Sequence, residues 1–372
     1  MKDKVFNVLD LFCGCGGLSH GFENAGYDIA LGIDSDKSSI DTFNYNHKNA
    51  KALDIDLSKD DFVDNINKFI TCDIDIVIGG PPCQGFSLTG PRNLDDPRNK
   101  LYMAMYQTVL NYRPKAFLIE NVPGLSTLYN GQVKNGIIRT FADIGYNLNT
   151  KILLAADYGV PQFRKRFFII GIRSDYGLTF HFPPPVLSRQ KYVTCHEAIG
   201  DLPSRENELG EEVDNYSAEP FTSYQKHLRN DCNVLYNHVA TDHSEKVKQV
   251  ISLVPEGGNY KDLPPGVGEH RKFNEAWTRY HSQEPSRTID TGHRNHFHYK
   301  YNRVPTIREN ARLQSFPDHF RFMGNKTQQN RQVGNAVPPL LAEVLAVSLR
   351  EQLFGEYKMN IQTSIFDKES IT

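Results

Sequence analysis

The sequence lacks the features of a membrane or secreted protein. Its 372 residues contain no long uncharged hydrophobic run, and the mean hydropathy is −0.50, which argues against a membrane-spanning helix. The N-terminal segment MKDKVFNVLDLF has neither the apolar stretch nor the small-residue cleavage site of a secretory signal. The six cysteines include no CxxC pair, so we expect reduced thiols in a cytosolic protein and no disulfide scaffold.

The net charge of −2 does not identify a partner, because charge is distributed unevenly along the chain. Residues 28–75 carry eleven acidic and five basic side chains, whereas residues 270–312 carry nine basic and four acidic side chains together with five histidines. Binding to a phosphate backbone depends on a local basic face and not on the sum over the chain. Charge alone therefore leaves two interpretations open, a solvated surface and a nucleic-acid interface.

Strand and helix patterns alternate over the first 175 residues, which predicts an α/β fold with a doubly wound, mostly parallel sheet. The predicted strands are residues 5–12, 28–33, 75–78, 116–119, 151–155 and 167–172. The predicted helices between them are residues 18–25, 38–47, 101–112 and 136–144. The pattern then becomes irregular until an amphipathic helix at residues 340–354. This layout predicts a doubly wound domain, a smaller irregular inserted domain, and a C-terminal return to the first domain.

A glycine-rich turn follows the first strand, in the sequence DLFCGCGGLSHGF. Such a turn lets backbone N–H groups at the start of a helix approach a ligand closely. Gly14, Gly16 and Gly17 are present, but Ser19 replaces the third glycine of a dinucleotide-binding motif. Asp34 ends the second strand, where a carboxylate can accept hydrogen bonds from ribose hydroxyls. The pattern fits a nucleoside without a pyrophosphate, such as S-adenosylmethionine (AdoMet), and a purely structural turn is the alternative.

Two further loops place reactive side chains directly after buried strands. The segment IDIVIGGPPCQGFS presents Cys83 on a rigid turn, where a cysteine is suited to nucleophilic chemistry. In AFLIENVPG, Glu120 and Asn121 follow a buried strand. Ligands of open α/β sheets bind beyond the carboxyl ends of the strands, and Phe12, Asp34, Cys83 and Glu120 all fall at that edge. Each residue alone is more typical of a structural role, but their convergence predicts an active site.

Six segments resemble, in order, the motifs of the DNA (cytosine-5)-methyltransferases: DLFCGCGGLSHGF, GGPPCQGFS, ENVPG, YGVPQFRKRFFIIG, RENARLQSFPD and QVGNAVPP. The resemblance reaches both ends of the chain and covers about half of its residues. It implies transfer of a methyl group from AdoMet to carbon 5 of a flipped-out cytosine in a specific short double-stranded DNA site. Residues 191–283 have no match, and this is where members of the family vary with their target sequence.

The resemblance assigns Cys83 as the nucleophile, because a thiolate that adds to carbon 6 of cytosine lets carbon 5 attack a methyl sulfonium. Glu120 would bind N3 and the exocyclic amino group, Arg166 the O2 side, and Arg164 a nearby phosphate or the surroundings of the base. Alternate residues share one face of a strand, so Gln162 should point the same way as the two arginines. The other predicted substrate-binding residues are Gln84, Ser87 and Asn121.

The resemblance also implies an AdoMet pocket with contributions from both ends of the chain. Its predicted members are Asp10, Phe12, Gly14, Gly16, Gly17, Leu18, Asp34, Asp54, Ile55, Pro81, Asn335 and Ala336. The chain departs from the family at two of these places. Asp34 stands where the family usually has glutamate, and Leu53 replaces the glycine that commonly precedes Asp54.

The histidines of the segment GHRNHFHYKY do not indicate a metal site. His293, His296 and His298 have no acid or cysteine nearby to complete a ligand set, so we expect a polar strand that faces DNA. A second group has looser spacing still: Cys232, His238 and His243. No metal is predicted.

The resemblance divides the chain into a catalytic, AdoMet-binding domain of residues 1–190 and 329–372 and a target-recognition domain of residues 191–328. Double-stranded DNA is expected in a cleft between the domains, with the basic residues 270–312 along its backbone. Two arginines in this stretch are expected to be structural: Arg308 and Arg312. The target sequence cannot be read from the chain, because base contacts depend on loop geometry.

Two alternatives keep the same fold. One is methylation of RNA, as in the tRNA-methylating branch of the family, but Gly85 and the insert of about 140 residues favour DNA. The other is an inactive DNA-binding protein, which the filled catalytic positions disfavour. A compact chain without regulatory domains is typical of a prokaryotic or phage enzyme, and we expect a cytoplasmic monomer. A restriction endonuclease acting on the same site, without a stable complex, would be its functional partner.

Overall fold

The computed structural model describes residues 5–82, 100–230, 232–268, 276–292 and 295–355. The chain divides into two compact units. The first unit contains the chain up to Leu154, then Lys165–Pro184 and the segment from Leu341, and the second contains Ala155–Arg164 and Pro185–Leu340. Compared with the division predicted from the sequence, the second unit also contains residues 155–164, begins at Pro185 and not at residue 191, and extends to Leu340 and not to residue 328.

The first unit contains a seven-stranded sheet. Its strands are β1 (Asn7–Leu11), β2 (Asp28–Asp34), β3 (Ala52–Asp54), β4 (Ile76–Gly79), β5 (Ala116–Asn121), β6 (Tyr146–Leu154) and β7 (Lys165–Arg173). The spatial order is β3-β2-β1-β4-β5-β7-β6. Strands β1 to β5 are parallel, and β7 is antiparallel to both of its neighbours. The predicted α/β fold with a mostly parallel sheet is therefore confirmed, and all six predicted strands are present.

Helices alternate with the strands of this sheet. They are α1 (Gly17–Asn24), α2 (Lys37–Asn46), α3 (Phe62–Asn67), α4 (Lys100–Tyr112) and α5 (Gln132–Asp143). Helix α2 begins where the Asp36 carboxylate accepts a hydrogen bond from the Ser39 N–H at 3.0 Å, a typical N-cap. Helix α5 begins one turn earlier than predicted, after Gly131 in the left-handed conformation with φ of 81°.

Hydrophobic packing fixes the central strands. Every residue of β4 and β5 is buried, as expected for parallel strands covered on both faces. Phe117 of β5 packs against Phe141 of α5 and Tyr146 of β6, with ring centroids 4.3 and 5.2 Å apart. Gly171 of β7 lies so close to Phe117 that a Cβ there would come within 2.3 Å of the ring. This packing fixes the register of β5 and β7, in which Phe117 lies opposite Gly171.

The second unit has little regular sheet. Its short strands pair as β8 (Val213–Asp214) with β9 (Leu235–Tyr236) and β10 (Thr278–Arg279) with β11 (His296–Phe297). Its helices are α6 (Cys195–Ile199), α7 (Ser223–Arg229), α8 (Glu245–Ser252), α9 (Ile307–Leu313) and α10 (Lys326–Asn335). Helix α11 (Pro339–Phe354) belongs almost entirely to the first unit.

Buried arginines organise the second unit. Arg312 donates hydrogen bonds to Asp201 and Asp318, and all three side chains are buried. Burial alone would raise the pKa of Asp318, but the Arg312 guanidinium lowers this pKa to about 2. Arg308 is also fully buried and donates to three main-chain carbonyls. The structural role predicted for Arg308 and Arg312 is confirmed.

The basic stretch at residues 270–312 is less accessible than its charge suggests. Six of its nine basic residues lie in the part of the chain that the structure describes. Four of these six side chains are buried, with exposures between 0% and 5%: Arg279, Arg303, Arg308 and Arg312. Arg287 and Lys300 are exposed. The prediction that the whole stretch follows a DNA backbone is corrected accordingly, because a buried guanidinium bound to carbonyls and carboxylates within its own unit cannot contact phosphate.

The histidines predicted to face DNA lie inside the second unit. His296 and His298 are 7% and 1% exposed, and His293 is outside the described residues. Burial lowers the pKa of His298 to about 3, although the Glu309 carboxylate lies 3.6 Å away and opposes the shift. The two described histidines therefore contribute to packing. Across the described ranges, no group of three or more His, Cys, Asp or Glu side chains is placed to hold a metal ion.

In the part of the chain that the structure describes, one stretch has the length and composition of a membrane-spanning helix, Lys326–Phe354, with a mean hydropathy of 1.2 in its most apolar window. This stretch consists of α10 and α11, and 89% of that window is buried inside the protein. Burial of this extent is expected of helices that form a core.

Candidate active site

The candidate site of the first unit lies at the carboxyl edge of its sheet. Phe12 follows β1, Asp34 ends β2, Pro81 follows β4, and Glu120 lies near the end of β5. Because β7 is antiparallel, Arg166 near its start lies at the same edge. Five adjacent strands therefore bring together side chains from five separate regions of the sequence, as the alternating pattern predicts.

An ion pair joins two of the predicted catalytic residues. Arg166 Nε lies 2.8 Å from Glu120 Oε1, and the two side chains are 14% and 11% exposed. Gly80 adjoins the pair, since a Cβ there would lie 3.1 Å from Glu120 Oε2. The pair fixes the orientation of a carboxylate and a guanidinium that are still partly accessible at the edge, so both can contact a ligand there.

Asn121 supports the chain that leads towards Cys83. Its Nδ2 donates to the carbonyl oxygen of Pro81 at 3.0 Å, and its Oδ1 accepts from the N–H of Val122 at 2.8 Å. The residue is only 4% exposed. The structure thus gives Asn121 a positioning role in place of the predicted substrate contact. Three predicted site residues lie outside the described residues: Cys83, Gln84 and Ser87.

The glycine-rich turn after β1 depends on left-handed backbone conformations. Phe12, Gly14 and Gly16 have φ values of 61°, 53° and 96°. A Cβ on Gly16 would lie 2.1 Å from Nε2 of His47, whose Nδ1 is 2.7 Å from Glu23 Oε2. Position 16 therefore requires glycine, because its φ is positive and because a Cβ would clash with the His47 ring. No motif indicates His47 or Glu23, because they reach the turn from the end of α2 and from α1.

Asp34 anchors this turn through main-chain hydrogen bonds. Its Oδ2 accepts from the N–H of Gly14, and its Oδ1 accepts from the N–H groups of Ser35 and Asp36, each at 2.8 Å. An ionised carboxylate has about four lone-pair positions, so Asp34 retains capacity for a ribose hydroxyl. Asp54 ends β3 directly beside Asp34 in the sheet register. Three other predicted cofactor residues follow in the chain: Gly17 and Leu18 begin α1, and Ile55 follows β3.

Asp10 lies inside the protein and does not reach the ligand edge. It is 1% exposed, and Ser19 Oγ donates to its Oδ2 at 2.6 Å, which joins β1 to α1. Burial raises the pKa of Asp10 to about 8, the Ser19 bond opposes this shift, and the Asp34 charge adds to it. We therefore expect a protonated Asp10 at neutral pH. The predicted cofactor contact is corrected to a support of the turn, because the carboxyl has almost no accessible surface.

Cysteines within the glycine-rich turn are poor nucleophiles. Cys13 and Cys15 are buried. Burial raises the pKa of both thiols, that of Cys15 to about 12. Since the thiolate is the reactive form, neither of these cysteines competes with Cys83 for a nucleophilic role.

The remaining predicted residues belong to the second unit. Asn335 is exposed at the end of α10, and Ala336 is half-buried as its C-cap. Gln162 and Arg164 are fully buried, and Arg164 donates to the carbonyls of Gly334 and Ala336 at 2.9 and 3.0 Å. The predicted contacts of Arg164 with a phosphate and of Gln162 with substrate are corrected, because neither side chain reaches the surface.

Comparison with known proteins identifies the family. The model of the family described as C-5 cytosine-specific DNA methylase matches residues 6–351. The chain belongs to this family. It is a DNA (cytosine-5)-methyltransferase, and its methyl donor is AdoMet.

Similar proteins span nearly the same length. Type II methyltransferase M.DdeI of Desulfomicrobium norvegicum is 38% identical over 364 residues, which cover 91% of this chain and 87% of the relative. Type II methyltransferase M1.HphI of Haemophilus parahaemolyticus is 39% identical over 348 residues, with 91% and 85% coverage. The crystal structure of a candidate DNA modification methyltransferase from an E. coli prophage has a TM-score of 0.77 at 30% identity, covering 94% of this chain and 100% of that one. The Dnmt2 methyltransferase of S. pombe shares the fold, with a TM-score of 0.56 at 16% identity and coverage of 94% and 98%.

Replacing Asn121 by alanine is expected to lower kcat of the methyltransferase on the order of 10-fold to 100-fold, because the Pro81 carbonyl loses its donor and the following chain loses its position. KM for AdoMet should change little. Labelled methyl transfer to plasmid DNA measures both values. Asn149→Ala is a matched control, since Asn149 makes the same two kinds of bond to Phe180 and Thr150. Equal losses in the two variants would contradict the positioning role.

Replacing Asp10 by asparagine is expected to change how stability depends on pH. Between about pH 4 and pH 8 the folded enzyme holds a proton on Asp10 that the unfolded chain has released. The free energy of unfolding therefore falls as pH rises through this window, by up to about 1.4 kcal/mol per pH unit. Asp10→Asn removes this pH dependence. Urea unfolding at pH 5, 6, 7 and 8 should therefore show that the free energy of unfolding of the variant, relative to that of the wild type, increases with pH. A pH-independent difference would show that Asp10 is not protonated in the folded enzyme.

Proposed function

We propose that this enzyme methylates a flipped-out cytosine within a specific short double-stranded DNA site through a covalent bond between Cys83 and carbon 6. The main support is the Glu120–Arg166 pair at the carboxyl edge of the sheet. Its neighbour Asn121 holds Pro81, two residues before Cys83 in the chain. A carboxylate, a guanidinium and a cysteine are the groups that the proposed reaction requires.

The Glu120–Arg166 pair suits a base presented edge-on. Glu120 would bind the exocyclic amino group and N3 of cytosine, and it would hold a proton at N3 while negative charge develops in the ring. Arg166 would donate to O2. Because the two side chains are already bound to each other at 2.8 Å, their positions are set before the base arrives.

The thiolate of Cys83 would add to carbon 6, which becomes tetrahedral. The double bond between carbons 5 and 6 would shift to carbons 4 and 5 as N3 takes up a proton, so carbon 5 becomes the nucleophilic carbon of an enamine. AdoMet, when bound, would supply a methyl group on a positively charged sulfur. Carbon 5 would attack the methyl carbon, the bond between methyl and sulfur would break, and the demethylated cofactor would leave as a neutral thioether. Loss of the proton at carbon 5 and elimination of the thiolate then restore the aromatic ring and free Cys83. The base must leave the stack before this chemistry, because carbon 6 is covered by neighbouring bases in a duplex.

We assign AdoMet to the glycine-rich turn of the first unit. Gly14 and Gly16 adopt left-handed conformations that bring main chain to the edge, and Asp34 retains capacity for a hydroxyl group. These observations fit a nucleoside without a pyrophosphate. The other members of the proposed pocket follow from the resemblance alone: Phe12, Gly17, Leu18, Asp54, Ile55, Pro81, Asn335 and Ala336.

We assign recognition of duplex DNA to residues 191–328 of the second unit. The support is the family itself and the curated relatives, two of which are named type II methyltransferases. Arg287 and Lys300 are its exposed cations within the described part of residues 270–312. A restriction endonuclease acting on the same site would be the functional partner in this setting. The similarity to Dnmt2 supports the fold only and does not favour RNA.

Bisulfite sequencing of an unmethylated plasmid incubated with enzyme and AdoMet tests the proposal. The wild type should protect cytosines in one recurring sequence context, and Cys83→Ser should protect none. Cys72→Ser is the matched control, since Cys72 is an exposed cysteine of the first unit with no proposed role. Full conversion with the wild type would contradict DNA as substrate and lead to the same assay on tRNA. Protection by Cys83→Ser would contradict the assigned nucleophile.

A further inference from the structure

A fully buried guanidinium binds the last turn of α10 and its C-cap Ala336. Arg164 Nη2 donates to the carbonyl oxygens of Gly334 and Ala336 at 2.9 and 3.0 Å, and Nη1 donates to that of Ile289 at 3.4 Å. Arg164 is 0% exposed, and all four residues belong to the second unit. One side chain therefore joins this turn to a segment almost 50 positions earlier in the sequence.

Two buried glutamines complete the same cluster. Gln314 Nε2 donates to the carbonyls of Val333 and Ala336 at 3.1 and 2.8 Å. Gln162 Nε2 donates to Gln314 Oε1, and Gln162 Oε1 accepts from the N–H of Ile289 at 3.1 Å. Both glutamines are 0% exposed. Three carbonyls of the turn, those of Val333, Gly334 and Ala336, are thus bound by side chains that have no accessible surface.

The turn also packs backbone against backbone. A Cβ on Gly334 would lie 2.3 Å from the carbonyl oxygen of Asp290 and 2.9 Å from the nitrogen of Thr291. Glycine is required here because of this close approach. Asn335, the next residue, is exposed. The cluster therefore fixes the turn from one side while Asn335 is presented to the other.

We propose that Arg164, together with Gln162 and Gln314, is a positioning residue for AdoMet binding. It sets the conformation of the turn that presents Asn335 and Ala336, the residues that the proposed function assigns to the cofactor, and the inference rests on that assignment. A turn ordered in advance loses less conformational freedom when it binds a ligand. Arginine suits this role because its planar fork directs several donors at once, which a lysine ammonium at the same depth cannot reproduce.

Arg164→Lys tests this role against a phosphate contact. We expect KM for AdoMet to rise on the order of 10-fold, with kcat at saturating AdoMet within about threefold of the wild type. A phosphate contact predicts instead that lysine substitutes well and that KM for AdoMet is unchanged. Arg308→Lys is the matched control, since Arg308 is also 0% exposed and binds three carbonyls, none of them in this turn. Thermal unfolding of both variants separates loss of stability from loss of cofactor binding.

Gln314→Met is a second test of the positioning role, with a substitution that does not change the charge. It removes the donor to Val333 and Ala336 from a side chain too deeply buried to touch either substrate, so KM for AdoMet should rise here as well.

The slope of log Kd for DNA against log salt concentration should stay at the wild-type value in Arg164→Met, whereas loss of a phosphate contact would reduce it by about one.

An unchanged KM for AdoMet in Arg164→Lys and Gln314→Met, or a reduced salt slope in Arg164→Met, overturns this proposal. An equal rise of KM in Arg308→Lys also overturns it, because the effect would then be general destabilisation. These outcomes are distinct from failure of the proposed function, which would appear in the wild type as absent AdoMet binding or absent methyl transfer to DNA.

Discussion

The ion pair between Glu120 and Arg166 depends on the direction of a single strand. Glu120 is near the end of β5 and Arg166 near the start of β7, and they meet because β7 runs antiparallel to β5. In a parallel β7 of the same length, Arg166 would lie at the opposite edge, about 20 Å away at roughly 3.3 Å per residue. The packing of Phe117 against Gly171 holds this register. The proposed chemistry needs the carboxylate and the guanidinium together. It therefore depends on the antiparallel direction of β7.

Much of the first unit follows from sequence pattern, because apolar runs bounded by turns are strong signals for buried strands. Strand β3 and helix α3 are missed, since three and six residues are too few to show a period. The prediction for Arg164 fails for a related reason. The prediction assumes that strand alternation continues from Arg166 back to Gln162. Strand β7 begins at Lys165, however, and the preceding segment belongs to the second unit, where the two-residue period does not apply.

In the second unit, the number of basic residues in a stretch of sequence does not predict how many of them are accessible. Arginines in the basic stretch bind carbonyls and carboxylates that can lie far away in sequence: Arg303 donates to the Ser204 carbonyl, 99 positions away, and Arg312 to the Asp201 carboxylate, 111 positions away. A buried charge is tolerated when it is paired and hydrogen-bonded, and no local pattern shows which arginines have such partners. His47 and Glu23 are not predicted for the same reason, since only the folded chain places His47 against Gly16 and Glu23 against His47.

The most direct test of the account is covalent capture of the enzyme on a DNA duplex that carries 5-fluorocytosine in the recognised site. Release of Cys83 requires that a base remove a proton from carbon 5. After methyl transfer to 5-fluorocytosine, carbon 5 carries a methyl group and fluorine but no proton, so Cys83 is not released. With AdoMet present, the account predicts a complex that survives denaturation, carries the transferred methyl group and is linked through Cys83. Absence of such a complex under conditions of full methylation of normal DNA, or a link through another residue, would contradict it.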